Sequence, residues 1–193
     1  MRKFSNLILL LVILTSFQKS TGIIVNKDEA KKAFELLIDI RANPQKYYQE
    51  YKFPKSTKPS TVVLQWNETL AKVAEEKAYD MAKRNYFSHT SPDKEGINYQ
   101  INKAGYNIVE SWCKPKSQNF FESIYASSKK ENGEAGIKDL IIDEGESSKG
   151  HRVHLLGLDE WNRSLTDIGI GIVHSSQSKY GTYMCVIIAK HDW

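Results

Sequence analysis

The sequence has 193 residues, of which 26% are charged and 40% hydrophobic, and its formal net charge is +4. This length suggests one domain, and the chain contains no repeats or low-complexity tracts. Arg2, Lys3 and Lys19 supply three of the four net charges, so the rest of the chain is nearly neutral. A nearly neutral domain lacks the basic surface that binding to nucleic acid requires, and we therefore expect no nucleic-acid partner.

The first 22 residues have the pattern of a secretory signal peptide. Arg2 and Lys3 precede an apolar run from Leu7 to Leu14, which is short for a segment that spans a bilayer. We predict that residues 1–22 are a signal peptide, with an uncleaved membrane anchor as the alternative. The mature protein is then expected to be secreted, to the extracellular space or the periplasm, without a transmembrane anchor after cleavage.

Secretion affects the interpretation of the two cysteines, Cys113 and Cys185. In an oxidising compartment they can form a disulfide, and two buried free thiols are the alternative. The sequence contains no Cys-x-x-Cys motif, so we do not expect a cysteine-based metal site.

The first half of the chain is predicted to be helical. A helix is expected at Asp28–Arg41, a short second helix after Asn43-Pro44, and an exposed loop at Lys52–Thr61. A longer amphipathic helix follows Asn67, its expected N-cap, and ends near Asn85, a residue that tolerates a left-handed conformation. The apolar face of this helix contains Leu70, Val73, Ala74, Ala78 and Met81. A polar loop that carries His89 comes next.

The second half mixes both kinds of element. A short helix is expected from about Ile97 to Ala104, where Gly105 stops it, followed by a strand over Tyr106–Trp112. Ser117 is expected to cap a further helix through Phe121 and Ile124, and Ile137–Ile141 marks another, ended by Gly145. The strands at Asp167–Val173 and Thr182–Ala189 are expected to pair as a hairpin. The fold class predicted from these patterns is α+β.

Two motifs point to a known family: YFSHTSPD at 86–93 and GHRVHLL at 150–156. In this order and at this separation they resemble the CAP superfamily, which includes cysteine-rich secretory proteins, insect venom allergens and plant pathogenesis-related proteins. The bacterial SCP-like branch is the most similar. The resemblance implies a CAP domain over residues 30–193, folded as a three-layer α-β-α sandwich with a small, mostly antiparallel sheet.

Members of this family carry two histidines and two acidic residues in a cleft. The motifs match the histidines to His89 and His151. The first acid lies in a Gly-Glu-Asn segment of the family, after a Gly-Tyr pair, and Glu110 is its best match here. For the second acid, helical periodicity directs Glu144 toward the apolar face and Asp143 toward solvent, so we expect Glu144.

Two imidazoles and one or two carboxylates would suit Zn²⁺ or a similar divalent ion. His154, three residues after His151, is an alternative ligand, whereas His174 and His191 are expected to be structural or exposed. The alternative without a metal is that His89 caps a turn while Glu110 and His151 face water.

No nucleophile or phosphate-binding signature is present. The resemblance therefore favours a monomeric, non-enzymatic module that binds a lipid, a sterol or a cell-surface ligand. The alternative is a metal-dependent hydrolase or peptidase, with Glu110 as general base.

Overall fold

The computed structural model describes residues 22–191; the predicted signal peptide lies outside this range except for Gly22. Over the described residues, the chain forms six α-helices and five β-strands. The helices are α1 (Lys27–Ala42), α2 (Glu68–Arg84), α3 (Ile97–Lys103), α4 (Gly133–Ile142), α5 (Gly150–Leu156) and α6 (Glu160–Arg163), and the strands are β1 (Ile23–Val25), β2 (Gln65–Trp66), β3 (Glu122–Ser127), β4 (Asp167–Ser175) and β5 (Thr182–Ala189). None of these helices has both the length and the apolar character needed to cross a membrane.

The strands form one sheet in the order β1-β4-β5-β3, and β2 also pairs with β4. All pairings are antiparallel except that of β2 with β4. The predicted hairpin of β4 and β5 is confirmed, and it forms the fully buried centre of the sheet. Strand β3 lies at one edge, and this edge positions the candidate site described below.

Helix α2 packs directly against one face of the sheet because β4 contains glycine at two contact positions. A Cβ atom at Gly169 would lie 2.1 Å from the backbone nitrogen of Ala71, and one at Gly171 would lie 2.1 Å from that of Glu75. Both separations are far below van der Waals contact, so a residue with a side chain would push the helix away. The alternation of isoleucine and glycine in β4 thus fixes α2 on the sheet.

Helices α1 and α4 cover the opposite face. Gly133 of α4 lies against the Ile172 side chain, and Gly136 lies against that of Met184. Ile172 and Met184 are paired neighbours on β4 and β5, each one residue from the positions that face α2. The sheet is therefore enclosed between two helical layers, and the predicted α-β-α architecture is confirmed.

Local capping signals located the long helices correctly. The side chain of Asn67 accepts hydrogen bonds from the backbone N–H groups of Thr69 and Leu70 at the start of α2. Asn85 ends this helix in the left-handed conformation, with φ of 55°. The helices expected at 28–41 and near 97–104 are also present, with ends shifted by a residue.

Two elements of the second half were predicted wrongly. Tyr106–Trp112 is not a strand: this segment is irregular and ends in a 3₁₀ turn at Glu110–Cys113. The helix expected after Ser117 is absent, and Glu122–Ser127 instead forms β3, paired residue by residue with β5. The partner strand is about 60 residues further along the chain, and its pairing outweighs the local helical pattern.

The two cysteines are free thiols, so the predicted disulfide is not formed. Cys113 lies in the 3₁₀ turn, where its thiol points toward the backbone oxygen of Asn98. Cys185 lies inside the sheet, between Gly171 and Ile124 of the neighbouring strands. The pairing depended on an edge strand at Tyr106–Trp112 that would bring Cys113 to the sheet, and this strand does not form.

Candidate functional site

The loop after α2 presents His89 to a buried carboxylate. The Nδ1 atom of His89 lies 2.8 Å from Oε2 of Glu122, the first residue of β3. The Glu122 side chain is completely buried, whereas that of His89 is 41% exposed. Asn119 contacts both residues: its Oδ1 accepts a hydrogen bond from the Glu122 backbone N–H at 3.0 Å, and its Nδ2 lies 2.9 Å from His89 Nδ1. His89 thus has one nitrogen anchored in the interior while its ring reaches the surface.

His151 is held in a similar way by Asp143. The Nδ1 atom of His151 lies 2.8 Å from Asp143 Oδ1, and the His151 backbone N–H donates to Oδ2 of the same carboxylate at 2.9 Å. Asp143 ends α4 in the left-handed conformation, with φ of 52°, which aspartate tolerates better than most residues. Its carboxylate therefore caps the start of α5 and orients the His151 ring with the same two oxygens.

These contacts determine which nitrogen of each ring is available. An ionised carboxylate only accepts hydrogen bonds, so each of these carboxylates favours the tautomer with the hydrogen on Nδ1, in which Nε2 of the neutral ring keeps its lone pair. At His89, Nδ1 also lies 2.9 Å from the amide Nδ2 of Asn119, a group that only donates. Between residues 22 and 191, no protein group bonds to either Nε2. The ring centroids of His89 and His151 are 6.5 Å apart, and the ring planes are inclined by 32°.

Both rings line a cleft of about 490 Å³ at the β3 edge of the sheet. Phe120 and Trp161 form an aromatic wall, with their ring centroids 6.1 Å apart in an edge-to-face arrangement. Ser148 and Glu146, from the loop between α4 and α5, contribute polar groups to the lining. A larger groove of about 780 Å³ runs along α2 and α3, but it contains neither histidine.

His154 lies one turn after His151 and also lines the cleft, but its ring is buried and does not reach the surface. Its Nδ1 atom lies 2.7 Å from the hydroxyl oxygen of Ser123, and the residue is buried. Burial lowers the pKa of His154 to about 3, so its ring is neutral at ordinary pH. His174, between Glu29 and Thr182, and His191, stacked on Tyr106, lie outside the cleft.

Sequence comparison identifies the family. Residues 60–188 match the model of the CAP family, described as the cysteine-rich secretory protein family. The chain belongs to the CAP family. A comparison with curated protein sequences found no match.

Solved structures of other proteins share the fold at low sequence identity. One is an extracellular protein of Bacillus anthracis that contains an SCP domain, with 21% identity and a TM-score of 0.51 over 84% of this chain. This chain spans only 40% of the length of the Bacillus protein. Another is an outer surface protein of Borrelia burgdorferi, with 15% identity and a TM-score of 0.54, covering 87% of this chain and 97% of that one.

The two acidic residues predicted for the CAP cleft lie elsewhere. Glu110 is in the 3₁₀ turn, with its side chain 82% exposed and paired with Lys114. Glu144 is also outside the cleft lining, 83% exposed and paired with Lys52. The structure brings together His89 and His151, but it brings neither of these glutamates to them.

The acids that do contact the histidines were missed, each for a physical reason. Glu122 is followed by Ser123 where the family has Asn, and preceded by Phe121 where the family has Gly. The helix predicted for this segment was also wrong, so the position of Glu122 at the start of strand β3 was not recognised. Asp143 was assigned to solvent by extending helical periodicity to it, but α4 ends at Ile142, and beyond this residue the 100° rule does not apply.

His89 and His151 are the two candidate ligands for a divalent metal ion in the CAP cleft. Histidine ligands in metal sites usually donate their second N–H to a carboxylate, and both rings here have Nδ1 2.8 Å from a carboxylate oxygen. Over residues 22–191 there is no group of three or more His, Cys, Asp or Glu side chains that could hold a metal ion. A metal bound here would have His89 and His151 as protein ligands, fewer than the three or four typical of zinc enzymes and structural zinc sites.

Proposed function

We propose that this chain is a secreted CAP-domain binding protein whose cleft holds a divalent metal ion, most suitably Zn²⁺, through Nε2 of His89 and Nε2 of His151. The observation that carries the proposal is the matched pair of carboxylate-bound imidazoles facing one cleft. Glu122 and Asp143 would hold the rings in the tautomer that binds metal and raise the basicity of Nε2. The metal would supply a positive centre with positions open to water or to a ligand.

Secretion is part of this proposal and is supported by the pattern of residues 1–22. The Bacillus relative is described as extracellular and the Borrelia relative as an outer surface protein. An external ligand, such as a lipid, a sterol or a cell-surface molecule, would meet the aromatic rings of Phe120 and Trp161 on one side of the cleft and the polar loop around Ser148 on another.

A binding role is favoured over hydrolysis because the cleft does not contain the general base that hydrolysis was expected to use. Glu110 is exposed in a turn outside the cleft lining, and Glu122 and Asp143 are engaged with histidine Nδ1 atoms. Glu146, the remaining carboxylate of the lining, is exposed. A peptide-degradation assay with and without added zinc tests this choice. Turnover that requires zinc and disappears in the His89→Ala variant would favour the hydrolase instead.

Calorimetric titration with zinc at pH 7.5 tests the metal site. We expect one zinc ion per chain for the wild type, and a large loss of affinity in the His89→Ala and His151→Ala variants. His191→Ala is the matched control because this histidine lies outside the cleft, and it should bind zinc as the wild type does. Affinity should fall at lower pH because protons compete with the metal for Nε2. Zinc binding that persists in the double variant would refute the site.

A further inference from the structure

Lys77 is a buried lysine that faces the backbone of the histidine loop. It lies on α2 with only 2% of its surface exposed, although lysine is rarely buried without a specific partner. Its ammonium donates one hydrogen bond to the backbone oxygen of Ser88 and another to that of His89, each at 2.8 Å. Across residues 22–191, no carboxylate forms an ion pair with it.

The same interior contains the fully buried carboxyl group of Glu122. Glu122 and Cys185 belong to the face of the sheet that α2 covers, because they share the orientation of Gly169 and Gly171 in the paired strands. The Cys185 thiol donates to Oε1 of Glu122 at 3.4 Å, while Oε2 faces His89. Burial and the Glu122 charge raise the pKa of Cys185, and the Lys77 charge opposes them, so both charges act on the same small region.

These contacts let Lys77 control the position of His89. Lys77 fixes the backbone oxygens at residues 88 and 89, and this limits where the imidazole can be placed. Helix α2 packs closely against Gly171 of β4 only a few residues from Lys77, and this packing restricts movement of the Lys77 ammonium.

We propose that Lys77 is a positioning residue of the metal site: it holds the His89 loop in place without touching the metal. This inference rests on the proposed metal-binding function. On this proposal, Lys77 of α2 affects zinc affinity through the His89 loop. A change at Lys77 should therefore alter His89 and leave His151 as it is.

The test compares three variants. Lys77→Met keeps the chain length but removes the charge and the donors, Lys77→Arg keeps both, and Lys72→Met is the control at an exposed position of the same helix. In the metal-free protein, the ring-nitrogen NMR shifts of His89 should change in Lys77→Met from those of a single Nδ1–H tautomer to those of a mixture. The shifts of His151 should stay as in the wild type. Zinc affinity should fall by about 10- to 100-fold, as for other residues that orient metal ligands.

Lys77→Arg should restore most of the affinity, and Lys72→Met should match the wild type. A folded Lys77→Met protein with wild-type His89 shifts and wild-type zinc affinity would overturn the proposal, and equal changes at His89 and His151 would do the same, because they indicate general destabilisation. If Lys77→Met does not fold, the test is the ¹⁵Nζ NMR signal of Lys77 in the wild-type protein, recorded with and without zinc. Zinc should shift this signal, and an unchanged signal would count against the inference. If the wild type binds no zinc, the metal site fails, while the metal-free His89 shifts still test Lys77.

Discussion

His154 makes the stability of this protein sensitive to mild acid. In the unfolded chain a histidine has a pKa of about 6.5, whereas burial lowers the pKa of His154 to about 3 in the folded protein. As the pH falls, the unfolded chain therefore binds the proton first. The stability contributed by the neutral buried ring is complete above pH 6.5 and decreases through the window between pH 6.5 and pH 3.

The size of the effect follows from these two pKa values. One pH unit inside the window corresponds to about 1.4 kcal/mol, so lowering the pH from about 7.5 to about 5.0 should remove about 2 kcal/mol of unfolding free energy through His154 alone. That is a substantial part of the roughly 5–15 kcal/mol that stabilises a typical domain. Carboxylates elsewhere in the chain also respond to pH, so the comparison needs a variant that lacks only this imidazole.

His154→Asn is the suitable variant because the amide can replace Nδ1 as the partner of Ser123. Urea unfolding of both proteins, followed by tryptophan fluorescence, gives the unfolding free energy at each pH. The wild type should lose about 2 kcal/mol more than the variant between about pH 7.5 and about pH 5.0. Parallel pH profiles would refute the reasoning. The effect also means that melting curves in acid mix protein stability with zinc affinity, so zinc affinity should be measured by calorimetry.

Three further predictions concern the fold and the cleft. Gly171→Ala should destabilise the protein by at least about 1–3 kcal/mol, because the new Cβ would clash with the backbone of α2; urea unfolding measures this loss, and an unchanged midpoint would contradict the packing. Cys113 and Cys185 should both be alkylated in the non-reduced, denatured protein, whereas a disulfide-linked peptide in mass spectrometry would disprove the free thiols. Asp143→Asn should reduce stability by about 1 kcal/mol through the weaker α5 cap and zinc affinity by about 10- to 100-fold, and unchanged zinc titrations would argue against a role in orienting the histidine.

The parts of the fold that could be predicted from the sequence are those fixed by local chemistry. Asn67 and Asn85 mark the ends of α2 because their side chains and backbone conformations satisfy the helix termini by themselves. The β4–β5 hairpin is equally local, since two alternating or β-branched segments are joined by a short polar connection. In both cases the residues that determine the element lie within a few sequence positions of it.

Strand β3 shows where local reasoning stops. Phe120, Phe121 and Ile124 suggested a helical stripe, and no nearby residue contradicts it. The segment is extended because its backbone groups pair with β5, from Glu122↔Ile187 to Ser127↔Thr182. The extended conformation therefore depends on β5, which is far away in the sequence, and a single sequence does not show which segments pair.

The candidate site has the same division between local and distant information. Each histidine lies in a recognisable motif, but its acidic partner does not: Glu122 is 33 positions from His89, and Asp143 is eight positions from His151. The histidines also belong to different layers, since His89 follows α2 on one face of the sheet and His151 begins α5, whose His154 contacts Ser123 on the other. Edge strand β3 joins them, with Glu122 directed to the α2 side and Ser123 to the α5 side. A ligand that bridges the two imidazoles would therefore connect both helical layers across one strand. It should stabilise the folded state by an amount that rises with the logarithm of its concentration over its dissociation constant.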